Sequence, residues 1–151
     1  MKIYLATDHA GFELKEKVAA YLANSYPDAE VEDCGAYDYD EHDDYPTFIK
    51  QAKSALSYDI QNGLDSRAIV FGGSGEGEAI TMNREPGVRC TTYYGGTLDI
   101  VRLGREHNDA NAISFGYRFV EDDECFRAVD IFLTTEFEGG RHISRIQEID
   151  N

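Results

Sequence analysis

Tryptophan is absent from the 151 residues, and methionine, cysteine and proline are scarce, at two, three and three. The cysteines, Cys34, Cys90 and Cys125, are odd in number and form no Cys-x-x-Cys pair. That speaks against a disulfide framework and a thiolate zinc site, and leaves the thiols as small packed hydrophobes. No apolar run approaches the roughly 20 residues of a membrane span, so no membrane partner is expected. The opening residues, MKIYLATDHAG, turn polar too soon for a secretory leader, and a cytoplasmic protein is the expectation. Positive charge is the other shortage, with 14 basic against 29 acidic residues and a net charge of −15. Nucleic-acid binding is driven by neutralising phosphates and is not expected of such a chain. A small anionic ligand needs a local basic cluster. Every lysine lies within the first 53 residues and the remainder carries only arginine, whose planar fork matches phosphate oxygens.

What is present is an alternation of short apolar runs with amphipathic ones, in a length that suits one domain over residues 1–151. KIYLAT (2–7), AEVEDC (29–34), RAIVF (67–71), GVRCTTYY (87–94) and AISFG (112–116) read as strands. The run RAIVF is almost wholly apolar, as a strand buried on both faces should be. Between them, ELKEKVAAYL repeats its apolar residues at helical spacing, and a second helix is expected over 46–63, with Pro46 in its first turn and Gly63 at its stop. A short helix should follow the glycine loop, with others from about Thr97 to Glu106, around Cys125–Leu133 and in GGRHISRIQEI. This order predicts an α/β fold with a five-stranded parallel sheet covered by helices on both faces. Ligands of such sheets bind beyond the carboxyl ends of the strands. Three polar clusters are expected there: Asp8-His9, the glycine loop, and REHNDAN (105–111). The stretch YDYDEHDDYP (37–46) lacks the Asp/Gly register of a calcium loop and is expected to be a solvated acidic loop.

The loop VFGGSGEGEAITMNR (70–84) has glycines that let backbone approach an anion, interleaved with Glu76 and Glu78. A Walker loop needs Gly-Lys-Ser/Thr, but Gly77 is followed by Glu78 and Ala79, and a dinucleotide GxGxxG would need glycine where Glu78 stands. Amide donors beside a carboxylate suit a different chemistry. Removing a proton next to a carbonyl leaves an enediolate, which needs preorganised N–H donors and a base. Gly72, Gly73, Ser74 and Gly75 can serve the first need and Glu78 the second. A helix N-terminus would lower the pKa of Glu78 and burial would raise it, and the sequence alone leaves that balance open.

DHAGFELK (8–15), DYP (44–46), GSGEG (73–77), REHNDAN (105–111) and FEGGRHISRI (137–146) stand in an order and spacing that resembles the type B ribose-5-phosphate isomerases, which include the galactose-6-phosphate isomerase subunits. The resemblance runs nearly end to end. It implies a Rossmann-like three-layer α/β/α sandwich and a homodimer with active sites at the subunit interface. It also implies aldose–ketose isomerisation of a sugar phosphate through a cis-enediolate, most simply ribose 5-phosphate to ribulose 5-phosphate, without metal or other cofactor. By matching positions, Asp8 and His9 would line the site, with His9 near the phosphate and Tyr45 flanking the sugar. His107 would open the furanose ring with Asn108 beside it. Arg118, Arg141 and Arg145 would hold the phosphate next to His142. Many family members carry a cysteine base immediately before the GSG element, where this chain has Gly72. It resembles instead a branch with GGSGxGE, in which the glutamate, here Glu78, takes over. A non-catalytic subunit of a heteromeric isomerase, and an isomerase of allose, galactose or tetrose phosphates, remain the alternative readings.

Overall fold

The structure, a computed structural model, describes residues 1–150. The strands are β1 (Lys2–Thr7), β2 (Glu30–Asp33), β3 (Ser66–Gly72), β4 (Cys90–Tyr93) and β5 (Ala112–Gly116). The helices are α1 (Phe12–Ser25), α2 (Tyr45–Gln61), α3 (Glu76–Met82), α4 (Asp99–Asn108), α5 (Asp122–Thr134) and α6 (Arg141–Ile149). All strand pairs are parallel, in the order β2-β1-β3-β5-β4. The expected α/β class and five-stranded parallel sheet are therefore observed.

The period of two along each strand sorts the core into two layers. Ile3 and Leu5 of β1, with Ile69 and Phe71 of β3 and Ile113 and Phe115 of β5, pack against α1, α4 and α5. Tyr4 and Ala6, with Ala68, Val70 and Ala112, pack against α2 and α3. Both faces are covered, which explains why the central strands read as continuous apolar runs. Cys34 and Cys125 are buried in these layers and Cys90 is partly buried, and all three act as the expected hydrophobes. Among the described residues no helix is long and apolar enough to cross a membrane.

The strand order reverses between β1 and β3, since β1 leads outward to β2 on one side and to β3 on the other. A crevice forms at the carboxyl ends of strands flanking such a point. The register aligns Thr7 with Phe71 and Gly72 with Gly116, so Asp8, the glycine loop and the Gly116–Arg118 turn emerge side by side.

Candidate active site

The crevice is built around Glu78. Its side chain lies one turn into α3 yet is only 4% exposed, because the helix turns it back under the glycine loop. Gly72 provides the room: a β-carbon at that position would overlap the Glu78 carboxylate. Gly75, at φ +79, takes the left-handed conformation that turns β3 into α3 and packs against the backbone of Phe115 and Gly116. Ser114 Oγ donates to the Gly75 carbonyl at 2.6 Å and fixes the turn. Among the described residues, the N–H groups of Gly73, Ser74 and Gly75 find no acceptor in the chain. The exposed Ser74 accepts from the Glu76 N–H at 3.3 Å, leaving its own hydroxyl hydrogen free. The Tyr45 ring lies against Gly77, and the Arg118 guanidinium lies over Gly73.

The balance left open by the sequence is decided by desolvation. Burial, with a smaller contribution from the Asp8 charge, pushes Glu78 up to about 7. The neighbouring acid that matters is Asp8, across the crevice, and not Glu76, which points into solvent. A carboxyl group so placed disfavours the folded state once it ionises. Its unfolded pKa is about 4.5 and its folded value about 7, so its contribution to stability declines as pH rises between them and is flat above. The shift corresponds to about 3 kcal/mol. Glu78→Gln is therefore expected to be more stable than wild type by about 3 kcal/mol at pH 8, and little different at pH 4.5. Urea unfolding at the two pH values checks this, and a variant no more stable at pH 8 would show the carboxylate to be solvated.

Asp8 is buried at the end of β1, and its Oδ1 accepts the Ala10 N–H at 3.0 Å. His9 follows on the rim of an open cleft of about 420 Å³ that it shares with Phe12, Tyr39, Tyr117 and Arg118. The hydrogen bond that His9 donates to Asp43 raises the pKa of His9.

REHNDAN is not where the sequence pattern places it. Helix α4 starts near the carboxyl end of β4 and runs antiparallel to the strands, so its last residues return to the amino edge of the sheet. There the Asn108 carbonyl accepts from Arg89 Nε at 2.9 Å, and Asn111 accepts the Arg89 N–H at 2.8 Å. His107 and Asn108 thus lie at the opposite end of the sheet from Glu78. Arg105 is structural: it is buried and donates to Asp109, to the Ala110 carbonyl and to the Thr135 carbonyl. Helix α6 packs on α4 and brings His142 into stacking contact with His107, the ring centroids 4.5 Å apart and the planes 10° from parallel. Glu138 Oε2 stands 3.9 Å from His107 and 4.0 Å from His142. Burial, then the charges of His107, Arg141 and Arg145, depress the His142 pKa. Arg141 and Arg145 are exposed, and among the described residues neither has an ion-pair partner.

The residues expected to act together thus fall into two half-sites. One holds Asp8, His9, Tyr45, Gly72, Gly73, Ser74, Gly75, Glu78 and Arg118; the other holds His107, Asn108, Arg141, His142 and Arg145. Among the described residues, two groups could offer ligand atoms to a cation: Asp8, His9 and Asp43, or His107, Glu138 and His142. In the first, both carboxylates already accept N–H groups. In the second, the two rings are stacked on each other, and Glu138 Oε2 stands about equally far from both Nε2 atoms, at 3.9 and 4.0 Å.

The family model described as Ribose/Galactose Isomerase matches residues 3–149. The chain belongs to this family. It is 42% identical over 147 residues to ribose-5-phosphate isomerase B of Mycolicibacterium paratuberculosis, covering 97% of this chain and 87% of that one. The crystal structure of a ribose 5-phosphate isomerase from Thermotoga maritima superposes with a TM-score of 0.87 at 41% identity, covering 99% of this chain and 97% of that one. The ribose-5-phosphate isomerase B of Mycoplasma genitalium, solved with bound ribulose-5-phosphate, gives 0.89 at 32% identity, over 98% of this chain and 93% of that one. The fold expected from the strand–helix order is the fold of these isomerases.

Proposed function

We propose that this family member is an aldose–ketose isomerase that interconverts ribose 5-phosphate and ribulose 5-phosphate, with Glu78 as the base. The observation that carries this reading is the buried Glu78 carboxylate, held near neutrality at about 7 beside unpaired loop amides. A base poised near the working pH combines the right protonation state with adequate proton affinity. His107 moves a proton from the anomeric hydroxyl to the ring oxygen, opening the furanose to an aldehyde. Glu78 removes the C2 proton, and the charge that develops on the carbonyl oxygen falls to the Gly73–Gly75 amides and the Ser74 hydroxyl. Glu78 then returns the proton to C1, while the hydroxyl hydrogen on the C2 oxygen passes to the C1 oxygen and the carbonyl forms at C2. Asp8 lines the crevice, Tyr45 flanks the sugar, and the arginines with His9 hold the phosphate. Binding energy from this unreactive group positions the reacting carbons.

The two half-sites require a homodimer in this reading. One copy supplies Glu78, Asp8, His9 and Arg118, and the partner subunit supplies the face bearing His107, Asn108, Arg141, His142 and Arg145. The experiment is complementation. Homodimers of Glu78→Gln and of His107→Ala should each be nearly inactive. When their subunits are exchanged, half the dimers are hybrids with one intact site, so activity should return to about a quarter of wild type. No recovery, with exchange verified by mass, would place both groups in one subunit's site.

A further inference from the structure

Asp43 belongs to the acidic stretch 37–46 that the sequence presents as solvated, and most of that stretch is exposed. Its side chain is not, at 9% exposure. The loop folds back over the end of β1, and two donors of His9 converge on Asp43 Oδ1: the main-chain N–H at 2.9 Å and ring Nδ1 at 2.7 Å. The other oxygen, Oδ2, is buried without a hydrogen-bond partner. A carboxylate desolvated to that degree needs a compensating positive charge close by, and the imidazolium of His9 is the group in contact with it. The Tyr39 ring stands edge-on to His9 at 6.2 Å and closes the same side. With Nδ1 held by Asp43, Nε2 is left as the free donor on the cleft rim.

We propose that Asp43 is a positioning residue, which locks the His9 ring through Nδ1 so that Nε2–H is presented to the substrate's phosphate alongside Arg118. This rests on the reading of His9 as a phosphate contact. The charged and titratable groups facing His9 are Asp43 and Asp8, with Glu13, Arg118, Tyr39 and Tyr117 around the cleft. Asp43, and to a lesser degree Asp8, hold His9 above its ordinary range. The charge on His9 is thus fully present at acid pH and is lost only as pH rises through the elevated value, which extends the cationic contact to a phosphate dianion into the neutral range.

The test is a pair of variants, Asp43→Asn and Asp43→Ala, with folding checked by circular dichroism. NMR titration of isotope-labelled histidines in the free protein, with His9→Gln identifying the resonance, reads the link without any turnover. The His9 midpoint should fall in both variants, toward or below the ordinary 6.5. With ribose 5-phosphate at pH 7, KM should rise about tenfold, as for a lost charge-assisted hydrogen bond, while kcat stays within about twofold. An unchanged His9 midpoint overturns the positioning role. A lowered midpoint with unchanged KM overturns it as well, by showing that His9 is no anion contact. Failure of the isomerase reading itself would appear separately, as wild-type protein that does not turn over ribose 5-phosphate.

Discussion

Glu78→Gln is expected to lower kcat by about 10³- to 10⁴-fold, with KM changed by no more than about threefold. Glutamine keeps the shape of the side chain over Gly72 and removes only its capacity to accept a proton. The effect should therefore be confined to the step in which hydrogen leaves one carbon and returns to the next. Two further readouts separate this from a general perturbation. In wild type, kcat/KM should rise with pH through about 7, where Glu78 loses its proton, and the residual activity of the variant should lack that rise. Incorporation of solvent deuterium at C2 of ribose 5-phosphate, wherever wild type shows it, should disappear with turnover. If kcat fell by less than about tenfold, the base would be another group. Asp8 would be the first candidate, since its charge is close enough to raise the pKa of Glu78. The same substitution is expected to stabilise the fold at alkaline pH. A gain in stability with a collapse in rate is the signature of a group held in an unfavourable environment for its chemistry.

The architecture was legible in the sequence because it is written in periodicities. The near-continuous apolar run of β3 and the helical spacing of Leu14, Val18 and Leu22 in α1 both follow from burial, and AISFG became β5 (Ala112–Gly116) without adjustment. The direction of α4 was implicit too, but a motif quoted as letters hides it. REHNDAN precedes a strand, so it must lie at that strand's amino end, opposite the crevice where the pattern of polar clusters first placed it. The pKa of Glu78 was not legible for a different reason. Helix dipole and desolvation oppose one another, and which prevails depends on a missing β-carbon six residues earlier in the chain. Asp43 was hidden among the acids of its loop, because composition says that such a stretch is solvated on average and cannot show which carboxylate folds under a histidine.

Gly72→Ala should be nearly as damaging as loss of the carboxylate, although alanine brings no chemistry of its own. A β-carbon at Gly72 would occupy the volume of the Glu78 carboxyl group, and the buried strand behind it cannot yield, since Gly72 is paired in register with Gly116. The side chain must rotate away, toward water. Displacement of a reacting group by about 1 Å costs on the order of 10² in rate, and a kcat at least that much lower is expected. Rehydration should also return the carboxyl toward its ordinary pKa, so the acid limb of kcat/KM should move well below 7. This bears on why the chain has no cysteine at this position, where many of its family carry their base. A side chain at residue 72 and a carboxylate from residue 78 compete for one space, so under the proposed reading a base at one position excludes a base at the other. Gly72→Cys with Glu78 intact should accordingly behave like Gly72→Ala and gain nothing from its thiol. Should either variant keep wild-type turnover with its acid limb still near 7, the carboxylate would have room beside a β-carbon, and the exclusion would be wrong.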